Sequence, residues 1–381
     1  MPKPRSFFGR FFSHVPPRVF SCSRKRGEGA LPAGKRSVMN KSAGVQLAPF
    51  RSRRDWLWGL VLIFSVLLVY TPVWKAGFVW DDDFILTANP CIVGPLGLKE
   101  IWTTGAADIC PLTLTTFWME HALWGLNPLP YHVVNVLLHG ACALLLWQVL
   151  RSLRVPGAWL GATLWALHPV SVESVAWVTE MKNTQSGLFF LLAILFFIRY
   201  LRAKNLAGQT GSGWAYALTL IFGALAMASK SSTVILPVVL CLCAWWLDGR
   251  WHWRNLTRVV PMFLMAIAAS TVSIWTQSAH LASVADPRWH RTWLERLGAA
   301  GDAVWFYLSK LLWPHPLITV YPRWQIATGQ WVSYLGFVAT VVVLSIFWLK
   351  RQSWSRAYFV LPPKKRTRNS RFLSCVIEGI G

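Results

Sequence analysis

The sequence predicts an all-α polytopic membrane protein, with about eight transmembrane helices and one amphipathic helix lying on the outer surface. Three observations carry this expectation. The 381 residues are 54% hydrophobic and only 14% charged, with a mean hydropathy of +0.41, above that of ordinary soluble domains. Of the 25 tryptophans, several (Trp56, Trp58, Trp74, Trp245, Trp246, Trp331, Trp348) stand where an apolar run meets a polar flank, as in an interfacial aromatic belt. Charge is segregated: residues 1–55 hold 13 Lys/Arg against 2 acids, residues 350–381 hold 8 against 1, and residues 75–130 hold 6 acids against 2 bases. That asymmetry reads as topology, with the tails cytoplasmic and the acidic loop outside. No aromatic interleaving or recognition motif accompanies the net charge of +23, so no nucleic-acid partner is expected.

Residues 1–55, rich in Arg, Lys, Ser, Pro and Gly and without the compact apolar core of a signal peptide, are expected to be a disordered basic cytoplasmic tail. Met39 opens a shorter lead into the first span, so residues 1–38 are expected to come from an upstream start. The transmembrane domain is expected over 56–349. Its apolar runs are 56–74, 131–150, 155–168, 185–201, 214–229, 231–247, 258–276 and 331–349, the third and fifth being short. With the N-terminus inside, Arg151/Arg154, Arg199/Arg202/Lys204, Arg250/Arg254/Arg258 and Lys350/Arg351 all fall on the cytoplasmic side. The stretch 299–313 is apolar but only about 22 Å long as a helix, and is expected to lie along the outer surface. The segment 277–330 around it carries five bases against three acids, which suits an outer anionic ligand better than the positive-inside rule. Residues 350–381 form a basic C-terminal tail whose abrupt change of character is expected to reflect truncation or a frame shift.

Chemistry is expected first at Asp81, Asp82 and Asp83, just beyond the first apolar run, because clustered carboxylates at the mouth of a span are costly to place. A carboxylate there suits a general base for a hydroxyl, its proton affinity raised by burial and by its neighbours. The bland alternative is a solvated acidic turn. Asp82, central to the run, is the first choice for the base. In the next run His132, Asn135 and His139 recur at spacings of three and four, so they share one helix face, where interhelical hydrogen bonding is the expected role. The second outer loop carries His168, Glu173, Glu180, Lys182 and Asn183, and the spacing of 173 and 180 puts both carboxylates on one face if the loop is helical. Lys230, between two apolar runs and followed by Ser231, Ser232 and Thr233, suits a phosphate, as does Arg323 in the aromatic setting YPRW. Cys91 and Cys110 share the acidic loop and are read either as small packing residues or as a disulfide in an oxidising compartment. No spacing of Cys and His reads as a metal site.

Three functional classes fit these features. One is an enzyme acting on a lipid-borne substrate. Another is a transporter or flippase, with the acids and Lys230 as coupling groups. The third is a non-catalytic membrane scaffold. The placement of the acids in loops, away from the bilayer midplane, favours the enzyme.

Taken together, WDDDFILTANP (80–90), PLTLTTFWMEHALWGLNPLPYHVVNVLLHG (111–140), ALHPVSVESVAWVTEMKNTQSG (166–187), ASKSSTVILP (228–237) and FYLSKLLWPHPLITVYPRW (306–324) resemble the membrane part of bacterial relatives of the transmembrane and tetratricopeptide-repeat (TMTC) family. The resemblance runs over roughly residues 50–350. That family sits in the GT-C superfamily of glycosyltransferases, and its eukaryotic members are protein O-mannosyltransferases. The resemblance implies a GT-C-like fold in a bacterial inner membrane, with the active site on the extracytoplasmic face. It also implies inverting transfer of a sugar from a polyprenyl-phosphate donor to Ser/Thr hydroxyls of a secreted or membrane protein. Asp81 and Asp82 would correspond to the family's acidic pair. Asp83 adjoins them, and Lys230 and Arg323 would neutralise the lipid phosphate. His168, Glu173, Glu180 and Lys182 are carried as substrate-binding candidates, and the lipid-linked sugar takes the place of a cofactor. Cys110 stands where relatives usually have Tyr or Arg, and the tetratricopeptide repeats that normally follow are not visible before Gly381.

Overall fold

The chain is an all-α polytopic membrane protein. The computed structural model describes residues 53–104, 110–207, 213–249, 251–283 and 291–350, and among these residues the regular elements are all helical. In order they are α1 (Arg53–Val69), α2 (Leu98–Thr103), α3 (Pro111–Trp124), α4 (Pro128–Ser152), α5 (Ala158–Ala166), α6 (Val172–Ala176), α7 (Met181–Ala207), α8 (Gly213–Ser229), α9 (Leu236–Asp248), α10 (Trp253–Ser283), α11 (Trp293–Leu312) and α12 (Leu335–Leu349). The two predicted tails lie outside the described residues except at their inner edges, where α1 reaches back to Arg53 and Lys350 caps α12.

Five stretches are long and apolar enough to cross a membrane: Pro128–Ser152, Met181–Ala203, Ser231–Asp248, Trp253–Ser278 and Trp331–Leu349. The other three predicted spans are shorter as helices, with 17 residues in α1, 9 in α5 and 17 in α8, against about 20 for a straight crossing. Local chemistry sets those lengths. Pro72 converts the end of the first run into a 3-10 turn, Thr71–Lys75. Pro169 biases His168 away from helical backbone, and α5 stops just before it.

Side chains at the helix ends sort the bundle into a basic end and an acidic end. At the basic end Arg151 pairs with Asp55 at 3.2 Å, and the Trp159 indole donates to the Trp58 carbonyl at 3.0 Å. There too the Trp246 indole donates to the Leu153 carbonyl at 2.9 Å, and the Tyr216 hydroxyl to the Arg258 carbonyl at 2.7 Å. These contacts gather the starts of α1, α5, α8 and α10 with the ends of α4 and α9. At the other end the Thr113 hydroxyl donates to the Ser229 carbonyl at 3.0 Å, beside the start of α7 and the aspartate loop. The ends of these helices that carry Arg151, Arg154, Arg254 and Arg258 therefore lie together at one end of the bundle.

One core joins α7, α8, α9 and α10 through Phe197, Ile198, Leu236, Leu240 and Met262, and a second joins α1, α4, α5 and α6 through Leu62, Val66, Val136, Ala166 and Val175. The outward surfaces are equally apolar: Leu264, Ile267 and Ile274 of α10 are exposed, and α12 has no buried residue. Lipid tails are as apolar as leucine, so such surfaces need no protein cover.

The predicted amphipathic helix is α11, which starts six residues earlier than expected at a capping box: Thr292 N–H donates to Glu295 Oε2 at 2.8 Å and Glu295 N–H to Thr292 Oγ1 at 3.3 Å. It meets α12 at glycines. A Cβ on Gly301 would run into the Phe337 backbone, and one on Gly298 would lie 2.9 Å from the Ser333 carbonyl oxygen. Gly301→Leu is expected to cost about 1–3 kcal/mol through overpacking. Gly329→Leu, with open space around that position, is expected to be near neutral. Thermal melting of the two variants in detergent checks the contrast.

Candidate functional site

The chain enters the site through Trp80, whose φ of 46° lies in the left-handed region, costing a bulky residue about 1–2 kcal/mol. Its indole stacks on Trp177, with centroids 5.4 Å apart and planes 20° off parallel. The three following aspartates then meet three different surroundings. Asp82 is fully buried, and its carboxylate accepts from Val79 N–H and from Thr179 N–H, each at 2.9 Å. It therefore ties the first loop to the second. Asp83 is exposed and accepts from the Thr87 hydroxyl at 3.2 Å within its own π-helical turn. Asp81 is half-buried and close enough to Lys182 for the two charges to interact.

Most of the second-loop candidates come together beside Asp81. Lys182 pairs with Glu180 at 2.8 Å, and the Asn183 amide donates to Glu180 Oε2 at 2.6 Å and to the Ser174 hydroxyl at 2.9 Å. The Lys230 ammonium donates to Asn183 Oδ1, and Lys182, Glu180, Glu173 and Cys110 all lie within range of its charge. Burial pushes the Lys230 ammonium below its usual range, with Glu180 acting in the opposite sense. The expectation that Glu173 and Glu180 share one helix face fails, because α6 ends at Ala176 and a turn precedes Met181. Glu173 faces a cavity and Glu180 faces the lysines.

That cavity, of about 840 Å³, opens between the two loops and α11. Trp80, Trp177, Phe306 and Tyr321 are among its walls, and Glu173 and Lys310 are its charged lining residues. Lys310 donates to the carbonyls of His315 at 3.1 Å and Pro316 at 2.9 Å and lies over the rings of Phe306 and Tyr321. Sequence reasoning counted Lys310 only among the outer bases. The available signal was a cation on the polar side of a helix judged to lie at the surface. His168 uses both ring nitrogens to join the second loop to α11: Nδ1 accepts from Val170 N–H at 3.2 Å, and Nε2 is 3.0 Å from the Leu311 carbonyl oxygen. Arg323 is exposed and does not line the cavity. Cys91 is a free thiol packed with Leu86, Phe117 and Tyr131 as an apolar residue, so the reading of a Cys91–Cys110 disulfide is corrected. Among the described residues no group of three His, Cys, Asp or Glu gathers as a metal site.

Behind the loops, α4 holds the arrangement in place. Asn135 donates to the carbonyls of Ser174, Val175 and Trp177 at 3.2, 2.9 and 3.2 Å and accepts from the Thr184 hydroxyl at 2.5 Å. His139 Nε2 bonds the Ala166 carbonyl at 2.8 Å, and His132 is buried within range of the Asp82 charge. For Asn135 and His139 this is the interhelical bonding expected from their spacing.

Glu120 on α3 was missed as a site of interest. It is 3% exposed, neither carboxylate oxygen has a hydrogen-bond partner among the described residues, and burial pushes it up to about 8. Since the folded value lies above the ordinary carboxyl range, its contribution to stability is complete below that range and is lost as pH rises toward about 8. Glu120→Gln is expected to raise the melting temperature at pH 8 and to flatten its dependence between pH 5 and 8, measured in detergent.

Comparison with known proteins gives similarity to protein O-mannosyl-transferases. The chain is 31% identical over 203 residues to the mouse Protein O-mannosyl-transferase TMTC4, covering 46% of this chain and 27% of that protein. To the mouse TMTC2 it is 28% identical over 185 residues (45% of this chain, 22% of the relative), and to the human TMTC1 27% over 230 residues (56% and 24%). The chain thus spans about a quarter of the length of these curated relatives. No protein-family model matches it, and no solved structure does.

Proposed function

We propose that this chain forms the membrane part of a polyprenyl-phosphate-sugar-dependent protein O-glycosyltransferase, of the TMTC kind in the GT-C superfamily. The observation that carries the reading is a juxtaposition: the half-buried Asp81 lies within range of Lys182, Lys182 lies within range of Lys230, and the adjoining Trp80 and Glu173 line an apolar cavity with aromatic walls. Such a site suits an amphiphile with an anionic head and an isoprenoid tail. The names of the relatives make mannose the first sugar to try.

In the proposed reaction a Ser or Thr hydroxyl of an extracytoplasmic protein attacks the anomeric carbon as the bond from that carbon to the phosphate oxygen breaks. Asp81 takes the hydroxyl proton, and the lipid phosphate leaves as the anion, inverting the anomeric centre. Asp82 positions the loop and does not touch substrate, since both its oxygens already accept backbone N–H groups. Lys182 and Lys230 stabilise the leaving phosphate. Glu173 and Lys310 orient the donor in the cavity. The excess of bases at the opposite end supports an extracytoplasmic site; the membrane proposed for it is a bacterial inner membrane.

The test is label transfer from a panel of radiolabelled polyprenyl-phosphate sugars into membrane protein, against the Asp81→Asn variant at matched abundance. Label that depends on Asp81 supports the reading and identifies the sugar. Equal label in both chains overturns it.

A further inference from the structure

At the end of the bundle away from the aspartates, Arg154 and Arg202 meet beside the end of α4, and Arg199 stands one turn away on α7. Arg202 on α7 donates to the Ser152 carbonyl at the end of α4 and lies close enough to Arg154 for the two like charges to repel. Arg199, one turn before Arg202, sits over the Phe196 ring at 4.8 Å, and its buried Nε has no partner among the described residues. Each guanidinium carries five N–H donors, so one carbonyl leaves most of those on Arg202 unused. The segments 149–157 and 194–214 contain no Asp or Glu, and of the acids at this end Asp55 is paired with Arg151 and Asp248 accepts from the Asn255 amide. Arg151, one turn before Arg154, is already paired with Asp55. Arg154 is exposed and holds a left-handed φ of 59° that ends α4 and turns its side chain out of the helical path.

The neighbouring surface is apolar. Trp214 at the start of α8 is exposed and packs edge-on against Phe196 at 5.8 Å, so an uncovered indole stands beside the arginines. An occupant that answers both features needs an anion and a hydrocarbon portion together.

We infer that Arg154, Arg199 and Arg202 form a binding site for the phosphodiester head group of an anionic phospholipid, with the acyl chains lying along Phe196 and Trp214. A phosphodiester accepts bidentate hydrogen bonds from guanidinium groups and relieves their mutual repulsion. Free phosphate would satisfy the charge but leave the indole uncovered. The inference does not depend on the proposed transferase activity.

Native mass spectrometry of the full chain released from mixed micelles checks it, comparing phosphatidylglycerol with phosphatidylcholine. The wild-type chain is expected to retain phosphatidylglycerol with a preference of roughly tenfold or more, and Arg154→Gln/Arg202→Gln to lose most of that preference. Arg154→Asn, which suits the left-handed backbone, removes one charge with little risk to folding and is expected to give a partial loss. Arg53→Gln/Arg54→Gln, at the exposed start of α1, is the control and is expected to keep the preference. An unchanged preference in both Arg154 variants, or an equal fall in the control, overturns the site. Stabilisation of the chain by inorganic phosphate as large as that by phosphatidylglycerol vesicles overturns the lipid as its occupant.

Discussion

Asp81→Asn is expected to lower sugar transfer by about 10²–10⁴-fold while leaving the melting temperature within experimental error of the parent. The amide keeps the shape of the side chain and cannot take a proton from an attacking hydroxyl. Asp82→Asn is expected to behave differently. Both oxygens of Asp82 accept backbone N–H groups, so the amide must turn an NH₂ toward either Val79 N–H or Thr179 N–H. One charge-assisted bond is lost and a donor faces a donor, at a cost of about 1.5–3 kcal/mol in a buried place. That variant is therefore expected to lose stability and activity together, and Asp83→Asn, at an exposed local turn, to lose little of either. Transfer assays paired with thermal melting separate the three. Wild-type transfer by Asp81→Asn, with transfer abolished only in a stably folded Asp82→Asn, would return the base to the central aspartate.

This division of labour was hidden in the sequence, where the three aspartates are equivalent. What could be read there was periodicity and composition: the apolar runs, the sidedness of the arginines, and the shared face of Asn135 and His139. These depend on spacing along one helix. The separate roles of Asp81 and Asp82 depend on Thr179, some hundred residues away, and so on how two loops meet. Glu173 and Glu180 show the same limit from the other side. Their spacing implied a common helix face, but the turn after Ala176 sends one to the cavity and the other to the lysines. Arg323 was chosen for its aromatic neighbours, yet Lys310, in the last turn of an apparently ordinary surface helix, is the base that lines the cavity. The ends of α1 and α5 were overestimated because apolar composition runs past the prolines and turns that end the helices, whereas α8 matches its expected run, 214–229, to within one residue.

Lys230→Met is expected to slow transfer by about 10²–10³-fold, the loss that follows removal of one fixed charge facing a developing anion. Burial already holds the Lys230 ammonium at a disadvantage, so a phosphate arriving beside it relieves an existing cost and is bound more tightly as its charge grows. Lys182 has less to give, because Glu180 at 2.8 Å neutralises much of its charge before any substrate arrives. Lys182→Met is accordingly expected to act mainly by freeing Glu180, which then repels the phosphate and weakens donor binding more than it slows the chemical step. The two variants should separate in steady-state kinetics with the lipid donor varied, the first lowering kcat and the second raising KM. If Lys230→Met transfers at the parent rate, the phosphate is neutralised elsewhere, and Lys310 on the cavity wall becomes the group to remove next.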